Sequence, residues 1–204
     1  MTVSAPTKNA NLMTSTTSPY GRVCRIAIAE LGLEAKVALT FVKLRSPENE
    51  ILHHNPTGKA PTLLIDDGPI LSETRFVCQY FQSLAGRNDF MTSDSDLNAQ
   101  LVEGIVTGFI DGVSVWIREL RRPTEDQSSD ILRQESDRAQ RCVAWFDARV
   151  DDLDVDVTYC TSHLFVALET LEKATPYSWR SDGPALAGWF DAMGQQPAVV
   201  KASQ

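Results

Sequence analysis

The pattern of apolar and polar positions splits the chain into two halves with different periods. In the first half short runs alternate with helical stripes. Residues 11–15 are a short candidate strand. Thr17-Ser18-Pro19 is then a helix-start signal, with Ser fitted to the N-cap and Pro to the first helical position, where its missing N–H goes unmissed. Tyr20, Val23, Ala27 and Leu31 follow at helical spacing, and Gly32 supplies the stop. Residues 36–44 place Val37, Leu39 and Phe41 on one face, the alternation of a strand. Strand, helix and strand in this length imply a parallel pair with a right-handed crossover. Residues 46–55 predict a short, weak helix ended by Asn55-Pro56. Residues 62–65 predict a strand, joined through the tight turn Asp66-Asp67-Gly68 to Ile70-Leu71 as a hairpin. Ser72 is expected to cap a helix whose stripe is Phe76, Val77, Tyr80, Phe81 and Leu84, stopped by Gly86.

Beyond a polar stretch at 87–95 the period is helical throughout. Leu97, Leu101, Ile105, Phe109, Val113 and Trp116 form one long stripe, closing at Arg121-Arg122-Pro123. Residues 131–150 carry Leu132, Ala139, Val143, Phe146 and Val150; residues 158–171 are apolar enough for a central helix. Pro184 opens a last amphipathic helix with Leu186, Trp189, Phe190 and Met193. The expected fold class is α/β plus all-α. The expected organisation is a tail at 1–9, a βαβ-ββα domain at 10–86, a linker at 87–95 and an all-α domain at 96–204.

Composition changes this picture little, with 43% hydrophobic and 23% charged residues. No run of about 18 apolar residues stands out, so no membrane span is expected. Residues 1–9 lack an apolar core of the signal-peptide kind and read as a disordered tail. Charge is more informative. Residues 1–86 carry 8 Lys/Arg against 7 Asp/Glu, and residues 87–204 carry 11 against 20. An acidic helical half disfavours nucleic acid and anionic membranes as partners, whereas the near-neutral first half can hold an anionic small ligand. Cys24, Cys78, Cys142 and Cys160 are widely spaced, with neither a C-x-x-C nor a Cys/His cluster at metal spacing. They predict buried free thiols, no metal site and a reducing, cytoplasmic compartment.

Four segments, in order, resemble the cytosolic glutathione transferase family over nearly the whole chain. Thr17-Ser18-Pro19-Tyr20 with Arg22 and the IAIAELGL run at 26–33 is similar to the family's first helix. Asn55-Pro56-Thr57-Gly58-Lys59-Ala60-Pro61 resembles its N-P-x-G-K-V-P element, and Ile70-Leu71-Ser72-Glu73-Thr74-Arg75 its L-x-E-S-x segment. Gly183-Pro184-Ala185-Leu186-Ala187-Gly188-Trp189-Phe190 looks like its H-P-x-L-x-x-W-F helix, and the run from Asp111-Gly112 to Gln127-Ser128 is similar to a bacterial subgroup. The resemblance implies a thioredoxin-like domain followed by a helical bundle, glutathione as co-substrate, and a homodimer.

It also implies a site. The Ala60-Pro61 bond would be cis, offering the backbone of Ala60 to glutathione as an added strand would. Thr74 would hold the γ-glutamyl carboxylate and Glu73 the amino group, at a helix start whose N–H groups favour an anion. Lys59 would lie near the glycyl carboxylate, or else is a solvated loop lysine. Ser18 is placed where family members carry a catalytic Ser or Cys. A helix N-terminus and a hydroxyl donor both lower a thiol's pKa. The alternatives are Ser18 as a plain N-cap, and Thr17, Thr16 or Ser15 as the donor. Ser rather than Cys at 18 points to attack by glutathione on a small hydrophobic electrophile, not to disulfide exchange. Tyr20, Phe109 and Trp116 are candidates for the electrophile pocket, or core residues. His53 and His54 are expected to be exposed or otherwise satisfied. A non-catalytic binding protein and a glutathione-dependent peroxidase remain alternatives. One departure stands out: Thr158-Tyr159-Cys160-Thr161 has Thr where the family's capping box has an acid, and Thr161 is expected to be too short to reach back, weakening that helix start by roughly 1 kcal/mol.

Overall fold

β-branched and apolar side chains in short runs, separated by turn residues, build a four-stranded sheet in the first part of the chain. The computed structural model describes residues 10–203, so the expected tail at 1–9 lies outside the described residues. The described residues divide into two units, 10–91 with 201–203 and 92–200.

In the first unit, β1 (Ala10–Thr14) lies inside the sheet, parallel to β2 (Val37–Phe41) and antiparallel to β3 (Thr62–Ile65). β3 pairs antiparallel with the short β4 (Leu71–Ser72), giving the order β2-β1-β3-β4. Helix α1 (Pro19–Glu30) makes the crossover between the parallel strands and packs against α2 (Thr74–Ala85), which ends at the left-handed Gly86. This is a thioredoxin-like sheet domain. Leu12, Ile26, Leu63 and Phe81 are fully buried at its centre, each contributing about 1.5–3 kcal/mol by leaving water. Cys24 on α1 and Cys78 on α2 are buried there too; burial, and then the neighbouring Cys24 side chain, push the Cys78 thiol well above its ordinary pKa.

Three features of this unit depart from the pattern. Leu39 and Phe41 are exposed although they share a face with buried Val37, and β2 is an edge strand. The 46–55 segment forms only one 3₁₀ turn, Glu50–His53, capped by Asn49. Phe76 stands exposed, off the buried stripe of α2.

The second unit is helical. α3 (Leu97–Leu120), α4 (Ser129–Asp147), α5 (Tyr159–Ala174), α6 (Pro184–Gly194) and the short α7 (Pro197–Lys201, its last residue counted with the first unit) follow in order, with 3₁₀ turns between several of them. α3 packs on both α4 and α5. Gly112 of α3 permits the close approach, since a Cβ there would lie 2.5 Å from Arg138 Cδ and 2.7 Å from Glu135 Oε2 on α4. All four tryptophans lie in this unit. α3 is long and apolar enough, by length and composition alone, to cross a membrane, which the expectation of no such stretch did not anticipate; its Phe109, Ile110 and Val113 are core residues here.

The start of α5 corrects a second expectation. Thr161 does reach back: its Oγ1 accepts the Thr158 N–H at 2.9 Å and donates to the Asp156 carbonyl at 2.6 Å, while Thr158 Oγ1 accepts the Thr161 N–H at 3.2 Å. The capping box is complete. A hydroxyl can accept and donate at once, so the short side chain closes the box where its extended neighbour, the acidic run, curls in to meet it.

Candidate functional site

The register of the sheet sets the site. Met13 on β1 faces Thr62 on β3, and Thr62 faces Ser72 on β4. One rung therefore joins the exit of β1, the entry of β3 and the exit of β4. The chain leaves or enters that rung through three loops: 15–18 into α1, 55–61 into β3, and Glu73 into α2. Three motifs far apart in sequence thus meet at one end of the sheet, the end where strand–helix sheets characteristically bind ligands.

At the first loop Ser18 is the N-cap of α1, with extended backbone (φ −77°, ψ 116°) and Pro19 at the first helical position, as the pattern predicts. Its Oγ accepts the Gly21 N–H at 3.1 Å, and its carbonyl accepts the Arg22 N–H at 2.9 Å. Ser18 is 7% exposed. One lone pair serves the cap, and among the described residues no acceptor takes the hydroxyl proton, so that proton can be offered to an incoming anion. Gly21 holds the turn tightly against β1: a Cβ there would fall 1.7 Å from Thr14 Oγ1. Thr16 and Thr17 are exposed and Ser15 is buried. Tyr20 is half-buried on the first turn.

At the second loop the Ala60-Pro61 bond is cis, as the resemblance implied. A buried polar network shapes the approach. Asn55 donates from Nδ2 to Thr62 Oγ1 at 2.9 Å, and its Oδ1 accepts both the N–H and the hydroxyl of Thr57 at 3.0 and 2.8 Å. Thr62 in turn donates to the Lys59 carbonyl at 2.8 Å, and Asn49 donates to the Gly58 carbonyl at 2.9 Å. Ala60 is half-buried, and Lys59 is exposed. His53 and His54 are both exposed.

At the third loop the expected cap is corrected. Ser72 belongs to β4, and the N-cap is Glu73, whose side chain makes no capping hydrogen bond. The β4 pairing claims Ser72, so the helix begins one residue later with its first-turn N–H groups uncapped. Glu73 has φ 68° and ψ 132°, a conformation that costs a non-glycine residue about 1–3 kcal/mol. Glu73 is exposed, and Thr74, the first helical residue, is buried.

The two helical candidates belong to the second unit. Phe109 is 0% exposed and tilts against Phe146 at 6.5 Å, and Trp116 is 4% exposed. Both lie on the apolar stripe of α3 and are buried in the core of the helical unit, the second of the two readings that the sequence left open. Two residues were given no role in the site by the sequence: Asn55 and Thr62, whose roles depend on a partner brought in by the fold. A buried Asn in a loop is the one signal that could have flagged them. No cluster of three metal-ligating side chains occurs among the described residues.

Residues 12–89 match the family described as glutathione S-transferase, N-terminal domain. A glutathione transferase family member from Pseudomonas fluorescens Pf-5, crystallised with bound glutathione, superposes with a TM-score of 0.86 at 26% identity over 95% of this chain and 98% of that one. Glutathione S-transferase 2 of Saccharomyces cerevisiae is 24% identical over 90% of this chain and 84% of its own length. The uncharacterized GST-like protein YibF of Escherichia coli is 25% identical over 134 residues, 64% of either chain.

Proposed function

Residues 12–89 carry the likeness to the glutathione S-transferase N-terminal domain, and from that premise we propose that the chain is a glutathione transferase that binds glutathione and activates the thiol for attack on a small hydrophobic electrophile. The observation that carries this reading is the single rung Met13–Thr62–Ser72, which brings the Ser18-capped start of α1, a backbone edge and the uncapped start of α2 to one end of the sheet. Glutathione is an extended tripeptide with a carboxylate at each end and a thiol between. In this reading the backbone of Ala60, beside Pro61, pairs with its cysteinyl unit. The uncapped start of α2 takes the γ-glutamyl carboxylate at Thr74, with Glu73 on the amino group. Lys59 stands at the glycyl end, free to swing from solvent.

The thiol then lies at the start of α1. A free thiol, with a pKa of about 8.5, is mostly protonated at neutral pH. Positive potential from the helix N-terminus favours the thiolate, and the Ser18 hydroxyl proton supplies one hydrogen bond to it. The protein forms no covalent bond of its own; it binds, orients and holds charge. Tyr20, on the same turn, is the candidate to touch the electrophile. Exposed Phe76 in the first unit and Leu97 and Leu101 in the second fit a homodimer of the family kind.

Calorimetric titration with glutathione at millimolar concentration tests the binding, and the absence of heat would remove the proposal. Given binding, the ultraviolet band of the bound thiolate should move its midpoint up by about one pH unit in Ser18→Ala, with roughly tenfold less thiolate at neutral pH. An unmoved band would take Ser18 out of the role and leave the helix end alone. Turnover of alkyl and aryl electrophiles, with none of peroxides, separates transferase from peroxidase.

A further inference from the structure

Arg22, Arg25 and Glu34 form a line along α1 and the loop that follows it, and residues 201–203 are laid against that line. Lys201 pairs with Glu34 just beyond the last turn of the helix. Arg25 donates from Nη1 to the Ala202 carbonyl at 3.0 Å, and Arg22 donates from Nη2 to Ser203 Oγ at 2.7 Å. The segment therefore runs antiparallel to α1, from its end toward its beginning. Ala202 is buried beneath the contact, and Arg22 is only 7% exposed. A guanidinium withdrawn from water is costly unless acceptors hold it, so its position is set by its partners. Arg25 also lies over the Phe41 ring at 5.7 Å, which ties the same line to the edge strand β2.

Arg22 is one turn from the helix start. Its N–H donates to the Ser18 carbonyl, and helical side chains lean back toward the N-terminus, so its stem covers the first turn. We propose that residues 201–203 act as a strap which, through Arg22, holds the first turn of α1 in the geometry that stabilises a bound thiolate, making Arg22 a positioning residue for that step. The inference rests on reading the Ser18 helix start as the thiolate site. A first turn that frays loses the alignment of its N–H groups, and with it the positive end that a thiolate needs. The strap prevents the fraying from outside the helix, and so leaves the Ser18 proton uncommitted.

The test uses Arg22→Met, Arg22→Lys and Ser203→Ala in the full chain, with two readouts. The first is the pH midpoint of the thiolate band of bound glutathione. Arg22→Met should raise it by about one unit, a tenfold loss of thiolate at neutral pH, lowering kcat while the KM for glutathione holds. Arg22→Lys should recover most of that loss, and Ser203→Ala should shift the midpoint the same way by about half as much. The second readout needs no glutathione: amide exchange at Gly21 and Arg22 should quicken roughly fivefold in both Arg22→Met and Ser203→Ala. If Ser203→Ala leaves midpoint and exchange unmoved, the strap is overturned, even where Arg22→Met acts through its lost charge. A wild-type protein with no thiolate band overturns the functional reading instead, and exchange alone then decides whether the strap holds the turn.

Discussion

The two units treat the beginnings of their helices differently. In the helical unit each long helix starts with a first-turn N–H engaged by a side-chain acceptor. Asp96 takes those of Asn98 and Ala99 on α3, Ser128 that of Ile131 on α4, and Thr158 that of Thr161 on α5. α6, whose N-cap is a glycine, borrows Asp147 from α4 to accept the Leu186 N–H at 2.9 Å. In the first unit α1 is capped in the same way, Ser18 Oγ accepting the Gly21 N–H at 3.1 Å with its hydroxyl proton unspent, whereas α2 has no side-chain cap and a residue in a costly conformation before it. Sealing a helix end adds about 1 kcal/mol of stability. The uncapped start of α2, on the rung that also carries the unspent Ser18 proton, forgoes that stability, which the proposed binding of an anion there would account for.

The sharpest way to separate the units is by pH, through a residue that belongs wholly to the sealed one. His163 on α5 is buried, edge-on to Tyr159 at 4.4 Å, with Nδ1 3.2 Å from the Tyr159 carbonyl. Burial holds its pKa down to about 4, against the pull of that carbonyl and of Glu103 and Asp111 on α3. The unfolded chain takes up the proton near pH 6.5 and the folded chain only near 4, so stability falls as pH drops through that window. The loss should reach roughly 3 kcal/mol. Urea midpoints of wild type and His163→Gln across pH 7 to 4 check it. A slope that survives the substitution would assign the effect elsewhere.

A smaller effect of the same kind comes from opening a sealed end. Thr161→Val keeps the shape and removes both hydrogen bonds of the hydroxyl, and should cost about 1–2 kcal/mol in thermal or chemical unfolding. Glutathione binding should be untouched. A change in affinity would mean that the units are coupled more tightly than their separate capping suggests.

The smallest expected change has the opposite sign. Glu73→Gly relieves about 1–3 kcal/mol of backbone cost and gives back 0.5–1 in chain entropy, for a net gain of roughly 1 kcal/mol. The same substitution should weaken glutathione binding. A variant that is less stable than wild type would show that Glu73 is kept for folding, and the contrast between the units would lose its clearest member.

What could be read in advance follows the range of the interactions involved. Ser18-Pro19 at the start of α1, Gly86 at the end of α2 and the Asp66-Asp67-Gly68 turn are local chemistry, and a linear pattern contains them. Ser72 and Glu73 could not be separated that way, because whether Ser72 caps a helix or pairs in a strand depends on Thr62 lying across from it. Periodicity assigned Phe41, Phe76, Leu97 and Leu101 to buried faces, yet all four are exposed; a stripe records which side is apolar and not what covers it. Phe109 and Trp116, on the same stripe of α3 as Leu97 and Leu101, are buried. Thr161 was misjudged on side-chain length because its second partner, the Asp156 carbonyl, is supplied by the bend of the preceding loop. Ser203 beside Arg22 joins the far end of the chain to its first helix, a pairing that no local rule reaches.

The placement of the tryptophans has a practical side. Trp116, Trp145, Trp179 and Trp189 all fall between residues 92 and 200, while the sheet unit holds tyrosines but no indole. Intrinsic indole fluorescence is therefore a private channel for the helical unit. A denaturation followed by that emission and again by backbone circular dichroism compares one unit with the whole chain. A single Tyr20→Trp replacement would give the other unit a voice of its own.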